Sequence, residues 1–266
     1  MIVARGLGVR YGAAVALAGV DFDLATGERL AVIGESGSGK SSLALALCGL
    51  LPRGAVRDGD LSFPGFEGPP RLGRDIGVLF QDPGGSLNPV LPVGEQIAEA
   101  AVVHRGLSWR EARAQAAAML ARLGLPEAPL GRFPHEFSDG QRQRIALAAS
   151  LSGRPRLLIA DEPTSALDTL AQREMVGLID AVVRAEGLAL VFVTHDIALA
   201  SELADRVLVL HAGRVVEAGA VGQVFAAPAH AYTRALLATH LSLETPRGAR
   251  LPEIAGADFE VRIPHG

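Results

Sequence analysis

The residues best suited to chemistry in this sequence form the run Gly34-Glu35-Ser36-Gly37-Ser38-Gly39-Lys40-Ser41. It fits the spacing G-x-x-x-x-G-K-S, with the apolar run Leu30 to Gly34 before it and a helical stretch from Ser41 to Leu50 after it. Glycines let backbone N–H groups curl inward around phosphate oxygens. The helix that follows turns its positive dipole end toward the same anion. In that geometry Lys40 reaches the β- and γ-phosphates of a nucleotide and Ser41 ligates Mg2+. The plainer alternative is a glycine-rich turn without a ligand; the full set of fixed positions and the strand-to-helix setting weigh against it.

A second constellation is Leu157-Leu158-Ile159-Ala160-Asp161-Glu162-Pro163, an apolar strand that ends in two acids. Carboxylates at the carboxyl edge of a parallel sheet stand where ligands bind. Asp161 is placed to hold Mg2+, directly or through water, and Glu162 to polarise an attacking water as general base. Alone the pair reads equally well as two solvated acids; beside the phosphate loop the catalytic reading prevails.

The elements that must carry these groups are short apolar runs alternating with longer amphipathic ones. Val20 to Leu24, Leu30 to Gly34, Ile76 to Phe80, Leu157 to Asp161 and Leu188 to Thr194 read as strands. Gln141 to Ser152 and Thr169 to Arg184 read as helices. Leu157-Leu158-Ile159-Ala160 is apolar without alternation, which predicts a parallel strand covered by helices on both faces. Arg206 to Leu210 and Arg214 to Glu217 flank His211-Ala212-Gly213 and predict a hairpin. Residues 95–122 have helical spacing; within them Ser108 and Glu111 form a capping box that starts a helix at Trp109. Pro126 and Pro129 break that pattern. The helical stretch from about 90 to 150 therefore reads as an inserted subdomain. Beyond about residue 240 periodicity is lost, and the end reads as a short extension.

Composition narrows the class. A chain of 266 residues is long enough for one large α/β domain with an insertion. The net charge of -4 gives no support for coating nucleic acid. The lone Cys48 allows neither an internal disulfide nor a thiolate metal site, so a reducing cytoplasm is expected, with Cys48 a small buried hydrophobe. The start, Met1-Ile2-Val3-Ala4-Arg5, lacks a basic segment leading into an apolar signal core, and no apolar run approaches the roughly 18 residues that span a bilayer. A role at a membrane would be played through other chains.

With these residues in order, the sequence resembles the ABC-type ATPases over roughly residues 1–225. Gln81, after the strand Ile76 to Phe80, resembles the glutamine that senses Mg2+ and couples to a transmembrane partner. Phe137-Ser138-Asp139-Gly140-Gln141 resembles the signature written LSGGQ. Ser165-Ala166-Leu167-Asp168 resembles the loop that crosses the dimer interface, and His195 the switch histidine near the γ-phosphate. Tyr11 resembles the aromatic that stacks on adenine; plain packing is its alternative. The resemblance implies a P-loop NTPase (RecA-like) core with an antiparallel β portion, an inserted helical subdomain and a short C-terminal extension. On it, residues 1–240 form the ATPase domain, with a core of about 1–89 and 153–240 around a helical subdomain of about 90–152, and 241–266 form the extension.

The resemblance also implies the ligands: ATP and Mg2+. Glu162, His195, Lys40 and Gln81 would serve hydrolysis. Tyr11, the loop residues Gly34 to Ser41 with Ser42, and Ser138, Gly140, Gln141 and Asp168 would bind nucleotide. Ser41, Gln81 and Asp161 would surround the metal. Phe80-Gln81-Asp82-Pro83, Ser86-Leu87-Asn88-Pro89, Pro228-Ala229-His230, Tyr232-Thr233-Arg234-Ala235-Leu236-Leu237 and Arg250-Leu251-Pro252-Glu253-Ile254 resemble the peptide and nickel uptake branch. Some members carry a C-terminal cysteine cluster for an iron–sulfur centre; this sequence has none there. The implied partners are two transmembrane permease subunits, a second ABC ATPase (a heterodimer, with a homodimer as the alternative) and, indirectly, an extracytoplasmic binding protein, with no nucleic acid. The implied place is the cytoplasmic face of the cell membrane, as a peripheral protein.

One departure from the pattern bears on the chemistry: Asp139 stands where the signature has its first glycine. Its carboxylate could cap the following helix, face the nucleotide and repel it, or turn outward and leave the signature working. The second of these implies a weak site on a different partner ATPase. Two other function classes stay open at this point, a non-transport ABC ATPase and a regulatory nucleotide-binding module.

Overall fold

The computed structural model describes residues 1–81, 86–126, 129–165 and 167–241. Asp82, Pro83, Ala166 and the stretch from 242 onward, Arg250 to Ile254 included, lie outside the described residues.

The strands are β1 (Ile2–Tyr11), β2 (Ala14–Leu24), β3 (Arg29–Ile33), β4 (Ala55–Ser62), β5 (Ile76–Leu79), β6 (Leu157–Asp161), β7 (Ala189–Val193), β8 (Arg206–His211) and β9 (Arg214–Ala220). One sheet has the order β5-β6-β7-β3-β8-β9, parallel from β5 to β8, with β9 antiparallel at the edge. The other is antiparallel, in the order β2-β1-β4.

Side chains along the central strands alternate between two buried faces, which is why these runs are apolar without a gap. Leu157, Ile159, Val191 and Val193 face one apolar cluster, together with Leu43 and Leu47 of α1 (Lys40–Cys48) and with Ile2, Leu7 and Val9 of the antiparallel sheet. Leu158, Ala160, Leu190 and Phe192 face the opposite side. There they meet α2 (Val93–Arg105), α3 (Trp109–Arg122), α4 (Asp139–Leu151) and α5 (Thr169–Glu186). Ala31, Ile33, Val207 and Val209 pack against α6 (Ile197–Leu203), α7 (Val221–Ala226) and α8 (Ala231–Leu241).

One expected element needs correction. The helix expected from Gln141 starts at Asp139, because Ser138 caps it: the Gln141 N–H donates to Ser138 Oγ at 3.3 Å and the Ser138 N–H to Gln141 Oε1 at 3.0 Å. A new helix does start at Trp109 within the stretch 95–122, and the helix before it ends at Gly106, whose φ of 67° favours glycine. The predicted capping box at Ser108 is present, with Glu111 Oε2 accepting the Ser108 N–H at 2.9 Å.

Candidate nucleotide site

The loop between β3 and α1 has the shape its glycines allow. Gly34 has a φ of 154° and Gly39 of 106°. A Cβ at Gly34 would come within 2.2 Å of Leu210 O, and one at Gly39 within 2.4 Å of Ala16 O. Backbone from other elements therefore presses directly on the loop. The Gly213 N–H of the β8–β9 turn donates to Ser38 O at 3.0 Å.

Lys40 is 5% exposed and folds back on its own loop. Its Nζ donates to Gly34 O at 2.8 Å and to Glu35 O at 2.9 Å. Burial holds its ammonium below the usual lysine range, against the pull of Glu162, Asp161 and Glu35. Ser41 Oγ donates to Asp161 Oδ1 at 3.3 Å, joining the loop to the end of β6. Burial pushes the Asp161 carboxyl above its usual range; Glu162 adds to this, while Ser41 and Lys40 oppose it. Cys48 is buried behind the loop, and burial pushes its thiol up to about 12, which fits the inert reading.

Glu162 is turned out of the strand by a left-handed backbone, with φ 45°, and its N–H donates to Val193 O at 2.9 Å. A non-glycine residue held there stores strain of roughly 1–2 kcal/mol. The same carboxylate oxygen, Oε2, lies 3.4 Å from Gln81 Nε2 and 3.4 Å from His195 Nδ1. Three residues from separate strand ends thus converge on one point.

Ser36, Gly37, Gly39, Lys40, Ser41, Ser42, Gln81 and Glu162 line one cavity of about 360 Å3. Tyr11 Oη is 3.2 Å from Ser42 Oγ, which brings the tyrosine to the same helix start. A larger opening of about 650 Å3, beside Arg105, Arg122 and Leu188, contains none of the predicted site residues. Among the described residues, Ser138, Gly140, Gln141 and Asp168 do not line the loop cavity. Asp168 instead caps α5, accepting the Ala171 N–H at 2.9 Å.

Asp139 does not cap its helix, because Ser138 holds that position. It lies exposed in the first turn of α4 and pairs with Arg142. Arg142 also donates to Phe137 O at 2.7 Å.

Sequence reasoning missed two residues. Gln143, on α4 and 1% exposed, donates to Pro163 O at 2.5 Å, tying the signature helix to the turn after Glu162. Its signal was a polar residue on a helix face shared with buried Ala146, Leu147 and Ser150. Tyr232 meets the Glu35 N–H, a contact across the chain that no local spacing encodes.

Comparison with known proteins shows which family the chain belongs to. The family model described as ABC transporter matches residues 17–165, and one described as an AAA domain matches residues 132–201. The glutathione import ATP-binding protein GsiA of Pectobacterium atrosepticum is 44% identical over 254 residues, which cover 89% of this chain and 41% of that protein. This chain therefore spans about two fifths of that relative's length. The oligopeptide transport ATP-binding protein OppD of Bacillus subtilis is 40% identical over 267 residues, covering 96% of this chain and 75% of that one. Among solved structures, the dimeric ATP-binding cassette MJ0796 bound to ADP and Pi has a TM-score of 0.72 at 27% identity, covering 83% of this chain and 99% of that one. The cbiO1 protein of Clostridium perfringens, part of a cbiONQ transporter complex, has a TM-score of 0.72 at 29% identity, covering 92% and 96%.

Proposed function

Since the chain belongs to the ABC transporter family, we propose that it binds and hydrolyses ATP as the energising subunit of an importer for peptides or similar small solutes. The observation that carries this reading is the placement of Lys40, Ser41, Gln81 and Glu162 around one loop-walled cavity, with Asp161 bonded to Ser41 and His195 beside Glu162.

In this reading Lys40 exchanges its loop carbonyls for the β- and γ-phosphates, and loop amides cradle the same oxygens. Tyr11 offers its ring to adenine. Ser41 Oγ, Asp161 and Gln81 supply the hard oxygen donors that suit Mg2+, which when bound neutralises phosphate charge. Glu162 accepts a proton from the attacking water at Oε2, and Gln81 and His195 orient that carboxylate and report on the γ-phosphate.

The signature turn is exposed and stands apart from the loop cavity, so it is free to serve a neighbour's nucleotide. That supports head-to-tail pairing with a second ATPase, as a peripheral subunit beneath two permease chains on the cytoplasmic face, fed by an external binding protein. No helix among the described residues is long and apolar enough to cross a membrane. Residues 90–152 serve as the subdomain that swings on closure. The names of GsiA and OppD favour glutathione-sized or longer peptides over nickel as cargo.

The test is hydrolysis by the assembled complex with wild-type chain and with Glu162→Gln. The variant is expected to bind ATP normally and to lose at least about a hundredfold in kcat. Undiminished turnover would sink the assignment of Glu162, and ATP binding that survives Lys40→Ala would sink the site itself.

A further inference from the structure

Tyr232 lies on α8, far along the chain from the phosphate loop, and it is 0% exposed. Its Oη accepts the Glu35 N–H at 3.0 Å. That N–H belongs to the same peptide unit as the Gly34 carbonyl, which accepts from Lys40 Nζ at 2.8 Å. In a trans peptide the two groups point in opposite directions. The Gly34–Glu35 peptide plane is thus held from both sides, by the tyrosine hydroxyl on one and the lysine ammonium on the other. Rotation of this plane would carry away the carbonyl that sets the resting place of Lys40.

The tyrosine is itself firmly placed. Its ring lies 4.0 Å from that of His211, at an interplanar angle of 34°. Its N–H donates to His230 Nδ1 at 3.1 Å. Glu217 of β9 accepts the Ala229 N–H at 2.7 Å and the His230 N–H at 3.0 Å, which fixes the entry to α8. Arg234 donates back to Pro228 O at 3.0 Å and Ala229 O at 2.8 Å. A buried phenol with so many neighbours fixed has little freedom to release the amide.

We propose that Tyr232 is a positioning residue for nucleotide binding: its hydroxyl pins the Gly34–Glu35 peptide and through it sets Lys40 for the phosphates. This inference rests on the ATP-binding reading above. It makes the C-terminal helix part of the phosphate site, although none of its described side chains lines the cavity.

The experiment uses the full 266-residue chain and Mg-ATP titration at a temperature well below melting. Tyr232→Phe keeps the ring and its stacking and removes only the acceptor. The expected result is a Kd for ATP raised about three- to tenfold, the scale of one lost hydrogen bond, with faster exchange of the Glu35 amide proton. Leu236→Val, on the same helix and 4% exposed, is the control for general loosening: it is expected to lower Tm without moving Kd. A Tyr232→Phe Kd within about twofold of wild type overturns the proposal, whether or not the Glu35 amide exchanges faster. Wild-type chain that fails to bind ATP overturns the parent reading and this one with it, whereas normal wild-type binding beside an unaffected variant overturns this one alone.

Discussion

The phosphate loop and the signature turn at Ser138 are both helix N-termini, yet the first is braced mainly by other elements and the second mainly by its own residues, with Gln143 one turn on tying its helix to Pro163 O. Leu210, Ala16, Gly213 and Tyr232, all from other elements, press on or bond to the loop. The signature turn is held by its own capping box and by the Asp139–Arg142 pair, all within a few residues, and Ser138, Asp139 and Gln141 are exposed. A loop of strained φ values must be enforced by its surroundings, whereas a capped helix start needs nothing beyond itself. The loop's shape is therefore complete in one chain. The signature turn spends its Ser138 and Gln141 amides on its own capping box and leaves Ser138, Asp139 and Gln141 at the surface.

The largest expected effect is on the braced side. Gly39→Ala drives a Cβ to 2.4 Å from Ala16 O at a φ of 106°. The cost is expected to be about 3 kcal/mol, a fall in Tm of roughly 6–12 °C, with loss of ATP binding. The matching change on the other side is Gly140→Ala, whose Cβ meets only Leu167 Cδ2 at 4.0 Å. In the isolated chain it is expected to raise stability by about 0.5–1 kcal/mol, since alanine suits a helix, and to leave ATP affinity alone. In the assembled complex the proposed head-to-tail pairing predicts that hydrolysis falls, since the added methyl would occupy the surface proposed to close on the partner's nucleotide. Equal loss of ATP affinity in the two isolated variants would break the comparison.

A smaller effect sharpens the electrostatic side of the same contrast. The folded Asp161 carboxyl titrates above its ordinary 3.8, chiefly through burial. Between those two values the folded state binds more protons than the unfolded one. Stability of the ligand-free chain therefore falls as pH rises through the folded value, and the ionised carboxylate is a cost at neutral pH. Asp161→Asn removes that cost and can still accept from Ser41, so Tm without nucleotide is expected to rise by a few degrees at pH 7. Mg2+-dependent ATP binding is expected to weaken at the same time. A variant that melts lower and binds Mg-ATP unchanged would remove Asp161 from the metal site.

How much of this was legible depends on whether the governing contacts were local. The loop, the acidic strand end and the strands β6 and β7 could be read directly, since continuous apolar runs and fixed spacings are properties of neighbours in sequence. Strand β1 was not seen, because a bulge at Arg5-Gly6 breaks its alternation: Ala4 and Leu7 are both buried although three residues apart, one residue out of step. Strand β4 was not seen because it is a polar edge, exposed along most of its length. The start of α4 was misplaced although Ser138 and Gln141 repeat the S-x-x-E/Q spacing recognised at Ser108. The Tyr232 contact pairs residues from opposite ends of the chain, and only the folded sheet brings them together.

The smallest expected effect concerns Asp139, which stands where the signature has its first glycine. Its carboxylate is turned onto Arg142, so the negative charge is compensated before any phosphate approaches. Asp139→Gly removes an exposed ion pair worth at most about 1 kcal/mol and a favourable acid in the first helical turn worth about 0.3–1 kcal/mol. The isolated chain is expected to lose about 1 kcal/mol of stability, with ATP affinity unchanged. In the assembled complex the ATPase rate is expected to stay within about twofold of wild type, because an outward, paired carboxylate contributes little repulsion at the interface. A rise of about tenfold, or 1.4 kcal/mol, would mean that closure frees Asp139 from Arg142 and aims it at the partner's phosphates. The signature turn would then be a deliberately weakened surface, and the two nucleotide sites of the complex would be unequal by construction.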